Sequence, residues 1–354
     1  MVCLMIMIYK GSGLIFLAKI MILTIMFICF GYLLSVWIHF YYTGNKNISL
    51  TRRQNYQNIS TKQIFDAALN VSLESNLEAS SKKIKDWMKT MEIRYSKTIK
   101  HIEDVCRKYS IGKPETFKFD EYMIDVKHQL AYCANAKVGS TTWINHFNSL
   151  LPVHERPFKY GTSEIDNYTR NWIRTKFLVW SLYSAKKNKQ AQVFSDLVKT
   201  HNMTVFTFVR HPFERLVSAY NDKIDSKHSS FPRFVETLIE NFNKTNAIQN
   251  NHWKPFIQRC NHCLTNYTIV GRMETFQQDV QYIILKNKLE KFLPLNTSLQ
   301  FVPLNSSKKD TKKETIEKFS QLNDEQIRKL YAIYKLDFEL FDYDIDVYLN
   351  PNKN

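Results

Sequence analysis

Two short stretches carry side chains whose types and spacing suit a phosphate or sulfate group. Residues 132–143 read Tyr-Cys-Ala-Asn-Ala-Lys-Val-Gly-Ser-Thr-Thr-Trp, which places Lys137 ahead of one glycine, Gly139, and three hydroxyl residues, Ser140, Thr141 and Thr142. Residues 205–223 read Val-Phe-Thr-Phe-Val-Arg-His-Pro-Phe-Glu-Arg-Leu-Val-Ser-Ala-Tyr-Asn-Asp-Lys, which places Arg210 eight positions before Ser218. Lysine offers a compact positive charge, and arginine a planar fork of donors that matches phosphate oxygens. A Walker A loop needs Gly-Lys-Ser/Thr, which occurs nowhere in this chain, so the first stretch is not an ATP–magnesium loop.

Both stretches must sit where a strand runs into a helix. An apolar run through Val126, Leu130, Ala131 and Tyr132 precedes the first, and Trp143, Phe147, Leu150 and Leu151 follow at helical spacing. A strand is expected over residues 123–132. In the second, residues 205–209 read as a buried parallel strand, and Phe213, Leu216, Val217, Tyr220 and Ile224 as a helix that Pro212 can open. Unpaired amides of a first helical turn carry partial positive charge, so each junction suits an anion. The plain alternatives are a solvated lysine in an ordinary turn and an ion pair between Arg210 and Glu214. Strand–helix alternation, helical patterning over residues 172–183 and a helix near residues 324–334 predict an α/β fold with a central parallel sheet flanked by helices, opening near Phe117. An aromatic tail closes it: Phe338, Phe341, Tyr343 and Tyr348.

Together the stretches resemble the Golgi carbohydrate sulfotransferases, the family that includes the chondroitin 4-O- and HNK-1-type enzymes. In that family a Pro-Lys-Val-Gly/Ala-Ser/Cys-Thr-Asn-Trp loop holds the 5′-phosphosulfate of 3′-phosphoadenylyl sulfate, and Phe-Val-Arg-x-Pro-Phe-Glu-Arg-Leu-Val-Ser-Ala-Tyr holds its 3′-phosphate. Residues 208–220 match the second motif almost residue for residue; the first departs at Ala136 and Thr142, where the family has proline and asparagine. His252-Trp253, the Cys260-x-x-Cys263 pair, residues 267–275 and residues 330–343 also resemble the family, so the likeness spans about residues 104–349. It implies a P-loop-like sulfotransferase fold with 3′-phosphoadenylyl sulfate as co-substrate. Lys137, Val138, Gly139, Ser140, Thr141 and Thr142 would line the phosphosulfate, and Arg210 and Ser218 would take the 3′-phosphate. It also implies a glycosaminoglycan or glycoprotein glycan as acceptor, and a disulfide between Cys106 and Cys133.

The rest of the chain fits a membrane-anchored lumenal enzyme. Residues 20–41 contain no Lys, Arg, Asp or Glu and are long enough to span a bilayer as a signal anchor. Asn-x-Ser/Thr occurs at Asn47, Asn58, Asn70, Asn167, Asn202, Asn243, Asn266, Asn296 and Asn305, all beyond that segment, which favours a lumenal C-terminal part. Cys106, Cys133, Cys260 and Cys263 suit two disulfides; Cys260-x-x-Cys263 reads as a local one, ahead of half a zinc site or a redox pair. The expected layout is a cytosolic tail (1–19), a transmembrane anchor (20–41), a stem (42–109) and a catalytic domain (110–354), type II in the Golgi membrane. Within the stem, Ile84, Trp87, Met88, Met91, Tyr95, Ile99, Ile102 and Val105 form a helical stripe that packs on the catalytic domain or, alternatively, pairs two chains. The formal charge of +16 over 354 residues comes without zinc-finger spacing, an RNP-like sequence or a dense basic tract, and so points to an acidic small molecule or polyanionic glycan rather than nucleic acid.

Sulfuryl transfer needs positioning and neutralisation of the leaving oxygen, and Lys137 is the residue suited to it. No carboxylate cluster suggests a metal site, and none is expected. The acceptor hydroxyl needs a base, for which His154, Glu155 and His252 are candidates, with His252 preferred. Arg272 and Glu274 are candidates for the floor of the site or, alternatively, a surface ion pair. A nucleotide phosphotransferase would lack its metal loop, and a non-enzymatic glycan-binding glycoprotein would leave the paired motifs as coincidence.

Overall fold

The structure is a computed structural model that describes residues 55–349 except 114–115, 120, 160–161, 163, 225–228 and 294–310, with side chains from residue 81 onward, Trp180 apart. The expected tail and anchor lie outside the described residues, among which no helix is long and apolar enough to cross a membrane. The chain divides into two compact units, Met1–Lys83 and Ile84–Asn354.

The boundary falls within α1 (Asn55–Lys108), the first helix among the described residues, which runs through most of the stretch read from sequence as stem. In the second unit its residues Met91, Tyr95, Ile102, Val105 and Cys106 are buried in the domain core, while Ile84 stays 49% exposed. Asp279 anchors this helix: it is fully buried, bonded to Arg94, and accepts from the Tyr95 hydroxyl at 2.6 Å.

The sequence-predicted strand over 123–132 is instead a hairpin, β1 (Tyr122–Asp125) and β2 (Leu130–Cys133), paired antiparallel. Its reason is local: Asp125 accepts from the His128 amide at 3.1 Å and from the His128 ring at 2.6 Å, and Gln129 turns through φ +57°. After β2 come α2 (Ser140–Leu150), α3 (Asn167–Lys176), α4 (Trp180–Ser184) and α5 (Gln190–Thr200), then β3 (Thr204–Val209) and α6 (Pro212–Lys223). The chain continues through α7 (Phe231–Thr245), β4 (Ile269–Arg272), α8 (Phe276–Lys286), α9 (Thr311–Phe319), α10 (Asp324–Leu340) and α11 (Asp346–Leu349). The sheet order is β1-β2-β3-β4, with β2–β3 and β3–β4 parallel, so the parallel centre expected from sequence carries one antiparallel edge.

β3 is buried at every position, as its unbroken Thr-Val-Phe-Thr-Phe-Val run requires of a strand covered on both faces. Tyr132 stacks on Phe206 at 4.9 Å, and Trp143 of α2 lies 4.4 Å from the same ring, so α2 is clamped to the sheet. A second core joins α6, α7, α9, α10 and α11, where Phe213 stacks on Phe319 at 4.4 Å. The three parallel strands end along one edge, and the segments that follow them build the site.

The disulfides correct the sequence expectation. Cys106 is bonded to Cys263 and Cys133 to Cys260, each with Cα atoms 5.6 Å apart, so neither a 106–133 nor a local 260–263 bridge exists. Cys260 and Asn261 both turn through left-handed backbone, φ +56° and +48°, which sends the two sulfurs of the Cys-x-x-Cys pair to different partners. Glu121 stands beside Cys133 and Cys260, but both sulfurs are in the disulfide and supply no thiolate to a metal.

Candidate active site

The first loop leaves β2 at Cys133 and is held to the sheet by Asn135, whose amide donates to Thr207 Oγ1 at 3.2 Å. Two left-handed residues follow, Lys137 at φ +66° and Gly139 at φ +76°. A Cβ on Gly139 would come within 2.4 Å of the Phe276 ring, so only glycine fits the turn at that position. Val138 is wholly buried while Lys137, Gly139 and Ser140 keep partial exposure, which pins the loop by its valine and leaves the lysine reachable. Gly139 caps α2, its carbonyl accepting from the Thr142 and Trp143 amides at 3.0 and 3.3 Å. Thr142 is buried, and Thr141 Oγ1 accepts from Arg170 at 3.1 Å. From Thr141 to Leu150 every residue of α2 is buried, beyond the single apolar face read from sequence, because the helix is covered all round.

Lys137 Nζ lies 3.2 Å from Asp222 on α6, which also pairs with Lys223 at 3.0 Å. Burial holds the Lys137 ammonium below the usual lysine range, against the opposing pull of Asp222. Burial works against the Asp222 charge too, but hydrogen bonds from Lys223 and Lys137 outweigh it and hold the carboxyl low.

Arg210 follows β3 and is buried; Glu214, 3.5 Å away on α6, is its partner, the ion pair raised above as the plain alternative. Burial pushes the Glu214 carboxyl up, Arg210 lowers it and Glu274 raises it further. Glu274 accepts from the His211 amide at 3.4 Å and from the Tyr343 hydroxyl at 3.2 Å, which puts it on the floor below Arg210 and not in a pair with Arg272. Arg272 donates instead to the Phe341 carbonyl and lies over the Tyr343 ring at 4.8 Å. His211 accepts from the Phe213 amide through Nδ1 at 3.2 Å, so its Nε2 donates to the Asp344 carbonyl at 2.9 Å. Glu214, Ser218 and Asp222 follow one another at i, i+4 spacing on the less buried face of α6, so Ser218 lies between the Arg210 and Lys137 regions.

His252 sits in the 251–254 segment, half-buried, with Nδ1 buried and without a hydrogen-bond partner. Burial lowers its pKa, Lys223, Lys137 and Arg215 add to that, and Asp222 opposes it, so the imidazole shares one electrostatic field with Lys137. The other two candidate bases are placed differently. His154 is 83% exposed, and Glu155 accepts from Lys176 at 2.8 Å.

Two arginines escaped the sequence reading. Arg170 belongs to α3, donates to Thr141 and feels the Asp222 charge, yet nothing in the pattern of residues 152–201 marks it. Arg215 lies within the second motif, where its place beside Glu214 could have drawn attention, and is buried against the first loop and the 251–254 segment. The site therefore sets Lys137, Arg170 and Lys223 around the Asp222 carboxylate, with Arg210, paired to Glu214, close enough to act on Lys137, an arrangement suited to a multiply charged anion.

The Sulfotransferase family matches residues 120–344. Carbohydrate sulfotransferase 11 of Rattus norvegicus is 26% identical over 275 residues, covering 69% of this chain and 72% of the relative. Carbohydrate sulfotransferase 10 of Homo sapiens is 24% identical over 312 residues, covering 77% and 82%. Carbohydrate sulfotransferase 12 of Mus musculus is 23% identical over 292 residues, covering 68% and 66%. No solved structure matches the chain.

Proposed function

This chain belongs to the sulfotransferase family and is an enzyme of the carbohydrate sulfotransferase kind, and we propose that it moves the sulfuryl group of 3′-phosphoadenylyl sulfate to the 4-hydroxyl of N-acetylgalactosamine in chondroitin or dermatan. The observation that carries the reading is Lys137, presented by a left-handed loop at the head of α2 and sharing its electrostatic field with His252. In the reaction the sulfur–oxygen bond to the donor phosphate breaks as a bond to the acceptor oxygen forms. Lys137 neutralises the charge that gathers on the bridging oxygen, and His252 takes the acceptor's proton through an imidazole that burial keeps neutral. Val138, Gly139, Ser140, Thr141 and Thr142 cradle the phosphosulfate, and Arg210 with Ser218 binds the 3′-phosphate once Glu214 yields the arginine. Adenosine 3′,5′-bisphosphate leaves. No step calls on a metal.

The acceptor is a polyanion in this reading, in keeping with the net charge of +16, and its binding weakens with salt. The domain works on the lumenal side of the Golgi membrane, held by residues 20–41. In support, Asn167, Asn202, Asn243 and Asn266, the sequon asparagines with described side chains, are all exposed, and the four cysteines of the domain form two disulfides suited to an oxidising compartment. Transfer of labelled sulfate to desulfated chondroitin, dermatan and glucuronyl-terminated acceptors, followed by disaccharide analysis, tests the proposal. Sulfate at the 3-hydroxyl of a terminal glucuronic acid would replace the acceptor, and no transfer to any glycan would overturn the reading.

A further inference from the structure

Arg215 is a cation enclosed in the protein, 1% exposed, on the inner face of α6. Its Nε donates to the Ala136 carbonyl at 3.1 Å, the residue immediately before Lys137. Its Nη1 donates to the Lys254 carbonyl at 2.7 Å and its Nη2 to the Asn251 carbonyl at 3.2 Å, on either side of His252. The guanidinium plane rests on the Phe256 ring at 4.2 Å. All three hydrogen-bond partners are neutral main-chain oxygens from two segments far apart in sequence. Filling this volume needs no charge, and a buried cation without a hydrogen-bonded carboxylate is costly. The fork's particular property is that it reaches several acceptors in fixed directions at once.

We infer that Arg215 is a positioning residue, whose guanidinium holds the backbone before Lys137 and the backbone around His252 in one register. The 251–257 segment is fixed on its other side by α10: the Tyr334 hydroxyl donates to the Trp253 carbonyl, and Asp337 accepts from the Phe256 and Ile257 amides at 2.6 and 2.9 Å. Arg259 and the Cys133–Cys260 disulfide hold the start of the Lys137 loop, through the Ala134 carbonyl and β2. Arg215 adds the tie at Ala136, next to the reacting lysine, and turns two separately anchored segments into one unit. Lysine cannot reproduce it, since a single ammonium does not span three diverging carbonyls.

The inference rests on the sulfotransfer reading, and Arg215→Lys tests it against an active wild-type enzyme. Turnover at saturating substrates falls at least thirtyfold, a larger effect than the loss of affinity for adenosine 3′,5′-bisphosphate, whose proposed contacts at Arg210 and Ser218 keep their place. In a Lys137→Ala, His252→Ala background the same substitution costs less than threefold, since the groups it positions are gone; a generally structural role would cost as much in either background. More than a third of wild-type turnover, or equal losses in both backgrounds, overturns the inference. Hydrogen exchange of the wild-type chain gives a measurement that needs no variant: with rising urea, residues 136–138 and 251–254 lose protection together. Opening of one segment while the other stays protected overturns the inference as well. Failure of the wild-type chain to transfer sulfate refutes the sulfotransfer reading instead.

Discussion

Lys137 and Asp222 face each other at 3.2 Å, so the cation proposed to meet the donor already holds a carboxylate of the protein itself. Asp222 is 45% exposed and shared with Lys223, which limits the strength of the pair through solvent screening. In the proposed reaction an incoming anion displaces it. Asp222→Asn is therefore expected to tighten binding of adenosine 3′,5′-bisphosphate about two- to fivefold, equivalent to about 0.5–1 kcal/mol. Calorimetric titration checks this; unchanged or weaker binding would show that Asp222 does not compete with the donor.

Lys137→Ala is expected to act on the chemical step. An ammonium at the bridging oxygen gains strength as charge builds there, and its loss is expected to cost about 3–4 kcal/mol, or about 100- to 1,000-fold in turnover. Arginine restores little, because its broad planar head does not replace a point charge in a loop pinned by Val138. Retention of more than about a tenth of wild-type turnover at saturating donor removes Lys137 from the reaction.

Arg210→Ala is expected to weaken adenosine 3′,5′-bisphosphate binding by about 2–5 kcal/mol, and Ser218→Ala by about 1. The Glu214 pair makes a further distinction, since Glu214→Gln releases Arg210 and should strengthen the same binding. Equal affinities for wild type and Arg210→Ala would mean that the arginine serves only Glu214.

Peptide mapping without reduction should recover Cys106 linked to Cys263 and Cys133 linked to Cys260. A 106–133 peptide would contradict the structure. Replacing Cys133 and Cys260 by serine is expected to cost about 2–5 kcal/mol of stability, measured by urea unfolding, because the bridge closes a long loop.

Acid should destabilise the domain. Burial holds His146, His211 and His262 neutral, with pKa values of about 3, 4 and 4 against an ordinary 6.5. The unfolded chain takes up protons that these native imidazoles refuse, so their stabilisation is whole above about pH 6.5 and is lost as pH falls toward 4. Asp337, pushed up by burial to about 6, works in the opposite sense over roughly pH 4–6. Near pH 5.5 the balance is about two protons taken up on unfolding, a slope of roughly 2–3 kcal/mol per pH unit. A urea midpoint that does not move between pH 6.5 and 5 would refute it.

The strand–helix junctions were legible in the chain because their cause is local. The apolar run of β3, Pro212 at the head of α6 and the Lys137–Gly139 turn each declare their conformation within a few residues. The two stretches proposed to bind the donor stood out for the same reason, since their residue types are visible in the chain itself. The β1–β2 hairpin was hidden, since Asp125 and His128 make a turn only through their side-chain hydrogen bonds, inside what read as one strand. Which cysteines pair, which acid faces Lys137, and that Arg170 and Arg215 belong to the site were decided only by tertiary structure. Spacing along a chain limits how far apart two residues can be, but not which sides of the fold they reach. At Cys260 and Asn261 two left-handed residues were enough to send neighbouring sulfurs to opposite partners, and only close packing of the whole domain fixes that choice.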